Sequence, residues 1–262
     1  MSAPVRTYAD DLTGKTILLT GSSRGIGAAT VRALGAAGAS VVAHYGSHLA
    51  GAEEAVAGID SERRLVLRAD FSERGAARDL WNRAVAWRGR IDVVVVNAAV
   101  MLETPWESAD DAWDETWETT IRINVLEPAS LIREAVRHYL SRGGGTVVTL
   151  SSWAAQRGSA IPQLTAYAAS KSAVQTLTQT VARNHARDGV LAYVVAPGIV
   201  ATRLSEISAE TRGGVAAVNA ALAMGEMVPA EEVAQLITWL SAGQCRHLTG
   251  ATLDVNGASY IR

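Results

Sequence analysis

Tyr167 and Lys171 stand four residues apart in the stretch AYAASKSAVQTLTQTVARN, where Val174, Leu177 and Val181 supply an apolar stripe. On a helix that spacing puts both side chains on one face, about 6 Å apart along the axis. The pair suits the reduction of a carbonyl by hydride, which creates an oxyanion that must receive a proton. A free phenol, with a pKa of about 10, holds its proton too tightly for exchange near neutrality. Bringing it to about 7 takes roughly 4 kcal/mol. One ammonium about 4 Å away, at an effective dielectric of 20, supplies about that much. The bland alternative is a solvated pair on a helix surface. Residue usage argues against it: of 24 cationic residues only Lys15 and Lys171 are lysine, leaving 22 arginines. A chain that writes Arg for surface charge has a reason to place a compact ammonium here.

Other candidate residues lie at the ends of apolar runs. Strand-like KTILLT (15–20) leads into GSSRGIG and then a helical pattern. Such a turn brings backbone N–H groups and a helix N-terminus close to a pyrophosphate. Gly21, Ser23, Arg24, Gly25, Ile26 and Gly27 are therefore expected to hold a dinucleotide. NAD-type domains carry an Asp or Glu at the end of the second strand. Here His44 and Tyr45 stand at that place, and the first acid beyond is Glu53. With no repelling carboxylate and the Arg24 guanidinium in the turn, the expected cofactor is NADP(H), with NAD(H) as the alternative. Ser151 and Ser152 close the run GTVVTLS (145–151), and Trp153 follows them. Asn124 sits within the helical stretch TWETTIRINVLEPAS, an unfavourable place for Asn. No Cys/His cluster suggests a metal, and Cys245 is expected to be a small buried residue.

These residues need elements to position them. Seven β-rich apolar runs, 15–20, 39–45, 64–69, 91–96, 145–151, 190–196 and 251–255, alternate with helical patterns. Continuous apolar strands separated by helices imply an α/β fold, a doubly wound parallel sheet covered on both faces. No composition break interrupts the alternation, so residues 1–262 read as one domain. Residues 1–13 are expected to form an arm. Residues 203–227 are an insertion past a strand end and suit a substrate lid. Long helices are expected over 109–141 and 165–187. Trp113 and Trp117 share a face and are expected in core or subunit packing. The net charge of −2 leaves no basic footprint for nucleic acid or an anionic membrane. The N-terminal MSAPVRTYADD has no apolar signal core, so the expected compartment is the cytoplasm.

Taken together, TGSSRGIG (20–27), VNAA (96–99), Asn124, the Ser pair 151–152, YAASK (167–171) and PGIVAT (197–202) resemble the short-chain dehydrogenase/reductase family across essentially the whole chain. The general look is similar to its small β-ketoacyl carrier-protein reductases. The resemblance implies a single-domain Rossmann-type fold and an enzyme interconverting a ketone or aldehyde and its alcohol. It implies Tyr167 as general acid, Lys171 as its helper and ribose ligand, and Asn124 as support for a proton relay through a held water. Ser152 rather than Ser151 would hold the substrate oxygen, although the 152–167 spacing, about two residues longer than usual, leaves both open. It further implies contacts to the cofactor from Asp70, Phe71, Asn97, Ala98, Pro197, Gly198, Ile199 and Thr202. Trp153 would line a pocket for an apolar or ring-containing substrate, and the subunits would pair as a homodimer or homotetramer. Ala99 departs from the pattern, which has Gly there.

Overall fold

A computed structural model describes residues 11–262, with Thr211 and the Leu204 side chain outside the described set. The apolar runs form β1 (Thr16–Thr20), β2 (Ser40–Tyr45), β3 (Arg64–Arg68), β4 (Val93–Val96), β5 (Gly145–Leu150), β6 (Val190–Pro197) and β7 (Thr252–Val255). All pair in parallel, in the order β3-β2-β1-β4-β5-β6-β7. Between them lie α1 (Gly25–Ala36), α2 (Leu49–Val56), α3 (Ala76–Arg88), α4 (Asp110–Ile121), α5 (Glu127–Arg142), α6 (Ala154–Arg157), α7 (Thr165–His185), α8 (Arg203–Glu210), α9 (Gly214–Ala220) and α10 (Ala230–Ala242).

Strand alternation sends successive side chains into two separate cores. From β1, Ile17 and Leu19 pack with Val31 and Leu34 of α1 and Ile237 of α10. Leu18 faces the other way, onto Leu80 of α3 and Leu131 of α5. Each wholly buried Leu or Ile contributes about 1.5–3 kcal/mol, so helices on both faces are required rather than decorative. The chain order reverses between β1 and β4, and ligands of open α/β sheets bind beyond the strand carboxyl ends at such a switch point.

The expected helix 109–141 is two helices joined by a π-turn over Arg122–Leu126, with Asn124 at its centre. Glu127, just beyond, is buried and its carboxylate accepts the Gly75 and Ala77 amides at 2.9 and 2.8 Å. It thereby caps α3 from across the fold. The expected arm is shorter than 1–13, because Leu12 is fully buried and its amide donates to Ala37 O. Residues 1–10 lie outside the described residues. Cys245 is exposed rather than buried, since it follows the Gly243 end of α10 in a surface turn. No described helix is long and apolar enough to cross a membrane.

Candidate active site

The switch point is tied together by Thr20 and Asn97. The Thr20 hydroxyl accepts the amides of Asn97 and Ala98, both at 3.0 Å, and the Asn97 amide group donates to Thr20 O and Gly21 O at 2.9 and 3.0 Å. The glycines matter first for these protein contacts. A Cβ on Gly27 would lie 1.9 Å from Gly21 O, and one on Gly25 would lie 2.9 Å from the Thr202 methyl. Gly21 itself has φ +75, a conformation Gly adopts freely. No side chain caps the start of α1, so the amides of its first turn stay available to an anion. Arg24 is exposed and its guanidinium forms no ion pair among the described residues. Ser23, in contrast, donates its hydroxyl to His48 O. This cradle fits a dinucleotide: free helix amides, a turn that excludes side chains, and an uncommitted guanidinium.

Two residues expected at the cofactor face inward instead. His44 is buried, and its ring lies stacked 4.6 Å from Phe71, which is buried too. Nδ1 accepts the Gly21 amide at 3.2 Å, and Nε2 lies 2.9 Å from Ala69 O, to which it donates. Both nitrogens are thus committed to backbone, and burial pushes the imidazole down to about 4, so it is neutral. The side chains of His44 and Phe71 brace the turn from beneath. Tyr45, at the end of β2, is half-buried. Asp70 is exposed, and its carboxylate accepts the Ser72 amide and hydroxyl, which hold it below the usual carboxylate range.

At the carboxyl end of β5 the two serines separate. The Ser151 hydroxyl is turned to α7, 3.0 Å from Lys171 O and 3.2 Å from Gln175 Oε1. The Ser152 hydroxyl accepts the Ala154 amide at 3.2 Å and bonds the Tyr167 phenol. Ser152 is therefore the member that shares a site with Tyr167. Lys171 is buried, its Nζ donates to Leu150 O at 2.9 Å, and it lies 5.7 Å from the Tyr167 ring centroid. Its other two protons have no acceptor among the described residues. Burial lowers this ammonium to about 8. Its positive charge beside that ring favours the phenolate form. The half-buried phenol is raised above its ordinary value by desolvation, against the pull of Ser152. These residues alone do not make it acidic.

The Asn124 side chain is engaged on every polar atom. Its Oδ1 accepts the Val100 amide at 2.8 Å, and its two amide protons go to Val100 O at 2.8 Å and Ser170 Oγ at 3.0 Å. The Ser170 hydroxyl in turn donates to Tyr167 O at 2.7 Å. The side chain therefore fixes the loop after β4 against the Tyr167 helix. Thr20 and Ser170 were not among the expected site residues. Their signals were present: a Thr directly before the glycine turn, and a Ser three residues past Tyr167 on the same helix.

Pro197 ends β6 and Gly198 follows it, with the Gly198 amide on Val255 O. Trp153 donates its amide to Pro197 O, and its ring lies 3.5 Å from where a Gly198 Cβ would stand. Segment 203–227 leaves and rejoins the body at a parallel bridge between Val200 and Val228. It packs through a small cluster of Ala209, Val218 and Met227, backed by Ile199 and Leu222. The Thr202 hydroxyl meets the Ser205 amide and hydroxyl at 3.4 Å, so it anchors the start of α8 beside the glycine turn. Trp106, Trp113 and Trp117 form a ladder with centroids 5.3 and 6.0 Å apart, and only Thr120 of α4 is fully buried. That ladder is not core.

Fold and turn define a Rossmann-type dinucleotide-binding protein. Residues 15–213 match the family model for short chain dehydrogenase, and the chain belongs to that family. It is 34% identical to 3beta-hydroxysteroid dehydrogenase 1 of Eggerthella lenta, over 96% of each chain. It is 32% identical to cis-4-hydroxycyclohexanecarboxylate dehydrogenase of Sinomonas cyclohexanicum, over 93% of this chain and 95% of that one. A crystal structure of a 3-oxoacyl (acyl-carrier-protein) reductase from Agrobacterium tumefaciens with NADP bound superposes with a TM-score of 0.86, at 30% identity, over 97% of each chain. The protein is an NAD(P)-dependent oxidoreductase acting on CH–OH/C=O groups of small molecules.

Proposed function

We propose that the protein reduces ketones carried on alicyclic rings, with NADPH, and runs in reverse as a secondary-alcohol dehydrogenase. One observation carries the reading: a buried ammonium with two unused protons beside a phenol that is hydrogen-bonded to a strand-end serine. A nicotinamide, when bound, supplies or accepts the hydride. The Ser152 hydroxyl donates to the substrate oxygen and stabilises the charge that develops there. The Tyr167 hydroxyl delivers the proton to that oxygen. Lys171 turns its free protons to ribose hydroxyls, which repay part of its desolvation, and its charge favours the phenolate. Asn124 is a positioning residue, holding the Tyr167 helix through Ser170. Gly25, Ile26 and Gly27 would hold the pyrophosphate on their amides, and Asn97, Ala98, Pro197, Gly198, Ile199 and Thr202 the nicotinamide side. Arg24 would meet a 2′-phosphate, which favours NADP over NAD.

Ring substrates follow from Trp153 beside the site and from two relatives whose names are those of cyclic secondary-alcohol dehydrogenases. Segment 203–227 serves as the lid, and the ladder of exposed Trp106 with half-buried Trp113 and Trp117 as a subunit contact in a homodimer or homotetramer. The test is oxidation of NADPH and of NADH against 4-methylcyclohexanone and a linear ketone of equal carbon count. The reading expects faster turnover with NADPH and with the ring. Preference for NADH, or no turnover with any carbonyl, contradicts it.

A further inference from the structure

Arg157 ends α6, one helical turn beyond Ser152, and it is held in an unusual way. Its guanidinium carbon lies 4.5 Å from the Trp153 ring centroid and 5.6 Å from that of Tyr260. Two aromatic rings thus fix a planar cation, at reduced entropic cost for any later contact. Yet the guanidinium forms no hydrogen bond or ion pair among the described residues, and the residue is exposed. The acid bonded to the neighbouring Gln156 is already occupied. Asp254 accepts from Gln156 Nε2 at 3.1 Å and from Arg262 Nε at 2.9 Å. The rings also place the cation relative to the chemistry. Trp153 directly follows Ser152 and lies against Gly198 at the carboxyl end of β6.

We propose that Arg157 is a substrate-anchoring residue that binds a carboxylate carried on the ring-bearing substrate, remote from the reacting carbon. This rests on the alicyclic-ketone reading and narrows it to hydroxy and oxo acids. A stacked guanidinium keeps its N–H edge free, and that edge matches a carboxylate with two parallel hydrogen bonds. A lysine cannot reproduce that fork.

The test is calorimetric titration of the full chain, with and without saturating NADP+, using cyclohexanecarboxylate and its neutral counterpart cyclohexylmethanol. The wild type is expected to bind the carboxylate at least tenfold more tightly than the alcohol. Arg157→Gln is expected to lose that preference with an unchanged affinity for NADP+, and Arg157→Lys to keep only part of it. Equal binding of the two ligands by the wild type overturns the proposal, as does wild-type carboxylate affinity in Arg157→Gln. A merely structural Arg157, tying the C-terminus to α6, would weaken both ligands alike and lower the melting temperature, which also overturns it. Retained carboxylate binding without ketone turnover would instead count against the proposed reaction alone.

Discussion

Lys15 and Lys171, the two lysines among 22 arginines, stand at opposite ends of the strands, one at the amino end of β1 and the other at the carboxyl end of β5. Lys15 precedes β1, and its Nζ donates to Ser241 O at 2.8 Å and Ala242 O at 3.0 Å, closing the last turn of α10. Burial lowers it, but Asp92 pulls it back up. Lys171 reaches the carboxyl end of β5, where a single carbonyl accepts from it and burial is the only cause of its fall to about 8. Scarcity of lysine therefore marks a confined ammonium, and not by itself a catalytic one. What separates the two is satisfaction. Lys15 has its partners within the protein, whereas Lys171 keeps two protons for something that arrives later.

The largest effect that bears on this contrast is kinetic. Lys171→Met is expected to lower kcat/KM by about three orders of magnitude, in the range of lost acid–base assistance. Lys15→Met should leave kcat/KM within about threefold of wild type. Steady-state turnover of a cyclic ketone checks both, and comparable losses at the two positions would erase the distinction.

A thermodynamic effect comes next. An ammonium near 8 in the fold and 10.5 in the unfolded chain opposes folding wherever the unfolded chain is protonated. The penalty is complete below pH 8 and vanishes as pH rises past 10.5. Between those limits the wild type should gain about 3 kcal/mol relative to Lys171→Met, read by denaturant unfolding without cofactor. His44 gives the acid-side counterpart. Its folded value of about 4 lies below the unfolded 6.5, so the unfolded chain takes the proton first as pH falls. Stability should drop by about 3 kcal/mol between pH 6.5 and 4, and His44→Asn should remove that slope.

Arg24→Ala is expected to weaken NADPH binding about tenfold and leave NADH within about twofold, by fluorescence titration. The smallest effect returns to the other lysine. Lys15→Met removes two hydrogen bonds at a helix C-terminus and should cost about 1 kcal/mol in thermal or denaturant unfolding.

The parallel sheet and the pairing of Tyr167 with Lys171 were legible because each follows from a period: continuous apolar runs for buried strands, four residues for one helix face. The turn was legible because Gly21 and Gly27 answer to backbone contacts and Gly25 to the Thr202 methyl. Orientation at a strand end was not. His44 stands where a ribose ligand belongs in sequence, yet its ring lies inside, on Phe71 and the Gly21 amide. Side-chain saturation was equally hidden. Nothing local reveals that Asn124 gives both amide protons to Val100 and Ser170, because those partners come from other elements. The stacking of Arg157 between Trp153 and Tyr260 joins residues about a hundred positions apart, beyond any periodic pattern.

The central claim is that the Tyr167 phenol passes a proton to a substrate oxygen at a site already built to bind nicotinamide. Its most direct test is Tyr167→Phe, measured for NADPH affinity and for single-turnover reduction of a saturating ketone. The account predicts an NADPH affinity within about threefold of wild type and hydride transfer slowed at least a thousandfold. Transfer at a tenth of the wild-type rate or faster would contradict it.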